Sequence, residues 1–272
     1  KLTTPGNIPD LLGVRHRAGE TTWILDLGDK FVTGEDAQFH CLFRSPQINA
    51  TTLTIDSLQY NLHSKTWEGP GRKDFEEGII RVLENASLKS QDVLNLCGLC
   101  AQLDFKLDTD LLFHMKDSFR EEEARKINKK FLLKIFRKIA TGAKPSAGFL
   151  ALDAAGCLDF FLPELARGRG LTQNRYHKHD IFLHSIYSCD AVPGPNLKLR
   201  LAALFHDFGK VDTRREKENG EATFHNHEVV SARHTEKIMR RFGFDPWLGK
   251  QVKFLVRNHM FHYTAEWTDR AV

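Results

Sequence analysis

The chain has 272 residues, 41% hydrophobic and 27% charged, an ordinary globular mixture long enough for about two domains. No apolar run approaches the roughly 18 residues of a membrane span, so a membrane partner is not expected. The net charge of +4 and a pI near 8.7 permit binding to phosphates or RNA without demanding it.

At the N-terminus, Lys1–Gly13 lacks the continuous apolar core of a signal peptide. Residues 1–67 read as mixed and strand-rich. Thr22-Trp23-Ile24-Leu25-Asp26-Leu27 and Thr51-Thr52-Leu53-Thr54-Ile55 supply β-branched and aromatic residues, and Gly69-Pro70-Gly71 marks a turn or boundary. From residue 73 the pattern turns helical, with Ile79, Ile80, Val82 and Leu83 leading into an apolar run from Leu94 to Leu103. Cys97 and Cys100 form a CxxC pair. No second pair follows and their neighbours are leucines, so they read as core packing rather than as a zinc or redox pair. Five cysteines are an odd number for a disulfide framework and point to a reducing cytoplasm.

Glu121-Glu122-Glu123 opens a helix that ends with Lys134, Arg137 and Lys138, the order that suits the helix dipole. The acidic triplet reads as a solvated helix start, and Gly142 and Pro145 close the helix. Another helix follows around 147–155. Residues 168–174 read as a linker. Helices are then expected at about 179–191, 197–208, 227–243 and 246–261. The chain does not begin with Met and stops after Ala271-Val272, which reads as part of something longer.

Histidine is the residue out of proportion. Nine of the 13 fall between His177 and His262, where an even spread would put about four. In Leu199-Arg200-Leu201-Ala202-Ala203-Leu204-Phe205-His206-Asp207-Phe208-Gly209-Lys210, an apolar helix ends in a His-Asp pair. Burying those groups beside Leu204 and Phe205 is costly unless they are paired or bind a metal. Further ligands must come from other helices: His184 after Ile181-Phe182-Leu183, His227 at a helix start, and His259 at a helix end. Mixed imidazole and carboxylate ligation suits iron, manganese, cobalt or nickel, with magnesium less favoured. Lys210 is placed to hold a phosphate as a point charge. His177, His179, His225, His234 and His262 read as ordinary core or surface histidines.

The order His184 … His206-Asp207 … His227 … His259 … Asp269 resembles the HD phosphohydrolase superfamily. Tyr176-His177-Lys178-His179-Asp180, Leu204–Lys210, Phe224-His225-Asn226-His227-Glu228 and Arg257-Asn258-His259-Met260 resemble, more narrowly, the HD domain of bacterial tRNA nucleotidyltransferases and poly(A) polymerases. Residues 135–165 are similar to that family's helical body, and Ile55–Leu62 to the end of its catalytic head. The resemblance implies a mainly α chain: a small α+β remnant of a nucleotidyltransferase head at 1–67, a helical neck and body at 68–168, and an all-α HD domain at 169–272. It implies His184, His206, Asp207 and Asp269 as core ligands of a divalent metal. His227 and His259 would serve a second ion or the leaving group, and Asp207 and Lys210 would be the catalytic pair. The implied substrate is a nucleotide or RNA-end phosphoester, with tRNA as a candidate partner.

The head departs from the family. Its Gly-Gly loop and Asp-x-Asp pair, which would serve a two-metal polymerising mechanism, are not recognisable. Asp26 reads as the relic of a third carboxylate or as a surface Asp. Ala50-Thr51-Thr52-Leu53-Thr54 stands where the family has Arg-Arg-Asp-Phe-Thr. The nucleotide-reading Glu-Asp-x-x-Arg motif survives only as Gln91-Asp92-Val93-Leu94-Asn95, leaving Asp92 as a weak nucleotide-binding candidate. Asn or Gly cannot present the bidentate fork of Arg. The altered motifs favour a decayed head over one whose carboxylates lie in an absent segment.

Overall fold

A computed structural model describes residues 53–54, 71–82, 87–173, 178–218 and 222–261, and the backbone of short strands upstream. Those strands are β1 (Trp23–Asp26), β2 (Phe31–Gly34), β3 (Gln38–Phe39), β4 (Gln59–Asn61) and β5 (Thr66–Glu68). β1 and β2 pair antiparallel, and β3-β4-β5 form an antiparallel meander. The strand expected at Trp23–Leu27 is thus present. Of the stretch 51–55, only Leu53, in an isolated bridge to Val82, and Thr54 are described.

The described residues fall into two compact units, one within Lys1–Asp92 and Phe105–Ser118, the other within Val93–Asp104 and Phe119–Val272. In the first, α1 (Arg72–Glu77) ends at Gly78 in the left-handed conformation. Ile79–Ile80, expected to lead into a helix, instead forms β6, parallel to β7 (Lys106–Leu107). Parallel strands need a long crossover; the chain between them includes α2 (Ser90–Leu103), which from Val93 on belongs to the second unit. Two isoleucines sit better in a short strand than in the strained turn after a C-cap glycine. Asp92, in the first turn of α2, accepts from Lys89 N at 3.0 Å, the reach-back bond of a capping box. Arg81 ties this unit together, bonding Asp74 and, at 3.1 Å, Asp108. α3 (Thr109–Ser118) completes it.

The second unit is helical. In chain order it has α4 (Glu121–Ala124), α5 (Lys129–Ala140), α6 (Pro145–Ala154), α7 (Leu158–Phe161), α8 (Pro163–Ala166), α9 (Ile181–Ala191), α10 (Leu197–Phe205) and α11 (Lys210–Thr213). A two-strand ribbon, β8 (Arg215–Glu216) and β9 (Ala222–Thr223), precedes α12 (His227–Phe242) and α13 (Pro246–Arg257). The expected helix from Glu121 through Lys138 is two helices, α4 and α5. Asn128 breaks it, adopting an extended backbone so that its side chain accepts from Lys130 N at 2.8 Å. Pro145 opens α6 rather than closing α5, as a residue without an N–H can at a first helical position. Asp180, Asn196 and Asp245 cap α9, α10 and α13 in the same way as Asn128.

Phe136 on α5 is the hub of the core. It is fully buried and meets the rings of Phe149, Phe161, Phe205, Phe242 and Phe244 at centroid distances of 4.6–6.3 Å. Arg200, also buried, reaches from α10 to the carbonyls of Ala140 and Gly142 at 3.1 and 2.6 Å, so the end of α5 is satisfied from the other side of the core. The packing therefore runs without a break across residue 168. Cys97, Cys100, Cys157 and Cys189 are free and buried, and burial pushes the thiols of Cys100, Cys157 and Cys189 up to about 12. Among the described residues, no helix is long and apolar enough to cross a membrane.

Phe136→Ala should leave a void facing five aromatic rings and destabilise the second unit by about 3–5 kcal/mol. Urea unfolding followed by circular dichroism measures this, and a loss under about 1 kcal/mol would contradict the hub.

Candidate metal centre

α10 is apolar because it crosses the core: Leu201, Leu204 and Phe205 are buried. The helix ends in a turn at 206–209 that brings His206 and Asp207 to one place. Asp207 is 2% exposed, so its charge has almost no water to compensate it.

Four imidazoles and the ammonium of Lys210 line its two oxygens. Asp207 Oδ2 lies 3.1 Å from His184 Nε2 and 3.1 Å from His206 Nε2, and those two nitrogens are 3.1 Å apart. Asp207 Oδ1 lies 3.3 Å from His227 Nε2 and 3.7 Å from His259 Nε2, which are 3.2 Å apart. Among the described residues these are the two groups of three with donor atoms close enough to hold an ion. Asp207 belongs to both.

The orientation of three of the rings is set by the backbone. Nδ1 of His206, His227 and His259 faces the carbonyl of the residue three positions earlier: Ala203 at 2.7 Å, Phe224 at 2.7 Å and Val256 at 2.8 Å. A neutral ring that donates from Nδ1 keeps its lone pair on Nε2, the tautomer that a metal needs. In that tautomer the Nε2 atoms of His227 and His259, 3.2 Å apart, could donate neither to each other nor to Asp207. A cation between them removes the conflict.

The spacing also fits an ion. Bonds of about 2.1 Å to neighbouring corners of an octahedron put donor atoms about 3 Å apart. The His184–His206–Asp207 triangle has this size, and two imidazoles with one carboxylate are a known facial donor set.

Burial works to push the Asp207 carboxyl up. The imidazoles of His184, His206 and His227 outweigh burial and hold it well below the usual carboxylate range. Burial pushes the His259 imidazole down, favouring its neutral form. Lys210 adds a fixed cation, with Nζ 2.7 Å from Asp207 Oδ2.

Gly209 lets the turn approach α12. A Cβ there would stand 2.3 Å from His227 O and 2.6 Å from Ser231 N. Its own N–H donates to Ser231 Oγ at 2.8 Å.

The structure thus brings together five of the six residues expected as ligands, and Lys210 with them. Asp269 lies outside the described residues, as do His177 and His262. Of the remaining histidines, His179 packs on Tyr187, His225 is exposed, and His234 pairs with Asp212 at 2.6 Å. Sequence reading missed Gln173, whose Oε1 accepts from Lys210 Nζ at 2.6 Å, and the ring of Phe224, 5.4 Å from Nζ. Gln173 gave no signal, since it lies in a stretch that reads as linker. Phe224 lies inside a quoted motif, but its apolar side chain suggested no contact with a charge.

The HD domain family matches residues 183–271, which takes in all four clustered histidines and Asp207. The chain is also similar to an A-adding tRNA nucleotidyltransferase of Deinococcus radiodurans, 38% identical over 124 residues, 44% of this chain and 29% of that protein. A CC-adding tRNA nucleotidyltransferase of Thermus thermophilus is 33% identical over 45% of this chain and 30% of its own length. A multifunctional CCA protein of Chromobacterium violaceum is 28% identical over 53% and 36%. The chain therefore spans about a third of the length of these relatives. Over its C-terminal part it is thus similar to the HD domain family and to tRNA nucleotidyltransferases.

Gly209→Ala should push the turn away from α12 and separate Asp207 from His227. We expect Mn²⁺ affinity, measured by calorimetry, to fall about tenfold or more, with about 1–3 kcal/mol lost in stability. Unchanged affinity would show that the close approach does not set the geometry.

Proposed function

We propose that the centre around Asp207 is a metal-dependent phosphohydrolase site acting on a nucleotide or RNA-end phosphoester. The observation that carries this reading is the sharing of one buried carboxylate between two pairs of Nε2 atoms. His184, His206 and Asp207 would hold one divalent ion. Asp207, His227 and His259 form the second donor set, for a second ion or for the leaving group. Asp269 remains a further ligand on the resemblance alone. The donor set suits manganese, iron, cobalt or nickel, and magnesium less well. A bound divalent metal lowers the pKa of a coordinated water toward neutrality and polarises a phosphoryl oxygen.

The chain's own residues do the rest. The carbonyls of Ala203, Phe224 and Val256 keep three imidazoles aimed inward. Lys210 neutralises charge on Asp207 and developing charge on a phosphoryl group beside it. Two of the relatives are named for adding A or CC to tRNA, which supports RNA ends as the substrate class and tRNA as the partner.

Asp207→Ala should lower metal-dependent hydrolysis across a panel of nucleotides and 2′,3′-cyclic phosphates by a hundredfold or more. Stripping the wild-type protein with a chelator should do the same, and Mn²⁺ should restore it. Full activity in the alanine variant would overturn the assignment.

A second reading, nucleotide addition to tRNA 3′ ends, is favoured by the same relatives and opposed by the altered head motifs. Incubation of the full-length protein with tRNA, ATP and CTP decides it. Incorporation of label supports that reading, and none at protein concentrations equal to the tRNA removes it.

A further inference from the structure

The ammonium of Lys210 is held from three sides. Nζ meets Asp207 Oδ2 at 2.7 Å and Gln173 Oε1 at 2.6 Å, with the Phe224 ring centroid 5.4 Å away. Lys210 is 7% exposed and Gln173 8%. The amide of Gln173 is itself oriented: Nε2 donates to His179 O at 3.3 Å, so the carbonyl end is the one that faces Lys210. A backbone carbonyl demands a donor and an ammonium demands an acceptor, so both partners select the same flip.

An ammonium attached to Asp207 alone would have one short bond to direct it. It would be free to swing toward the side of Oδ2 that faces His184 and His206, where a divalent ion would go. A second acceptor prevents this. We propose that Gln173 is a positioning residue for the metal centre: it fixes Lys210 beside Asp207 so that the ammonium shares the carboxylate with a cation and does not displace it. This rests on the metal-centre reading. Gln173 lies between α8 and α9, upstream of the 183–271 stretch matched to the HD domain. The centre thus draws on chain outside that stretch.

Three substitutions in the full chain test it. Gln173→Met keeps the length and removes the acceptor, Gln173→Glu keeps an acceptor oxygen, and Lys210→Met removes the ammonium. The first readout is the rate at which Lys210 is acylated by acetic anhydride in metal-free protein, resolved by peptide mass spectrometry. The rate should rise about tenfold in Gln173→Met and stay at or below the wild-type value in Gln173→Glu, whose carboxylate grips the ammonium harder. The second is Mn²⁺ affinity by calorimetry. It should weaken about tenfold in Gln173→Met, and the same substitution should change nothing further in a Lys210→Met background.

An unchanged Lys210 rate in Gln173→Met overturns the proposal. So does an affinity loss of equal size with and without Lys210. Should Gln173→Met fail to fold, Gln173→Glu decides: Lys210 reactivity at or below the wild-type value supports the role, and a faster rate refutes it. Neither readout needs hydrolysis, so an inactive protein that passes both sinks the phosphohydrolase reading alone. A wild-type chain that binds no Mn²⁺ sinks the metal reading, and the acylation arm then decides what Gln173 does to Lys210.

Discussion

A single carboxylate with almost no access to water organises the second unit. Asp207 cannot stay charged in the core without compensation, and a protonated carboxyl would leave four imidazoles and an ammonium facing one another. The arrangement satisfies the charge from both oxygens at once. Each supporting feature follows from that demand: a turn after an apolar helix, a glycine that admits close packing, and a lysine whose ammonium lies against the carboxylate. The imidazoles packed around Asp207 are also suited to ligate a metal.

Helix ends position these groups more than helix faces do. His206 follows α10, His227 opens α12 and His259 follows α13, while His184 sits within α9. The last carbonyls of a helix lack intrahelical partners, and those of Ala203 on α10 and Val256 on α13 turn toward Nδ1 of a histidine three residues on, as Phe224 O, just ahead of α12, does for His227. The usual liability of a helix end becomes the device that aims the ring. The aromatic cluster around Phe136 then keeps the helices docked closely enough for the ends to converge.

Much of this was legible in the sequence. Apolar residues around His206-Asp207 signalled a buried charge, and the crowding of histidines into one third of the chain signalled its partners. Helical periodicity located α9, α10, α12 and α13 to within a few residues. The errors have local causes. Asn128 reads as an ordinary helix residue until its side chain is seen to accept from Lys130 N, and Ile79–Ile80 is too short a run to separate strand from helix by period. Gln173 was invisible because its role depends on a partner 37 positions away that sequence spacing cannot pair with it.

The four clustered histidines are strung along the chain from His184 to His259, on segments that touch only after folding. A cation gripping them would act as a clasp between distant points of one thread. The unfolded chain would either release the clasp or keep a closed ring of about 75 residues with less freedom than an open coil. Endurance against heat and denaturant would then be tied to ion supply, and scarcity of the ion would loosen the architecture as well as silence the chemistry.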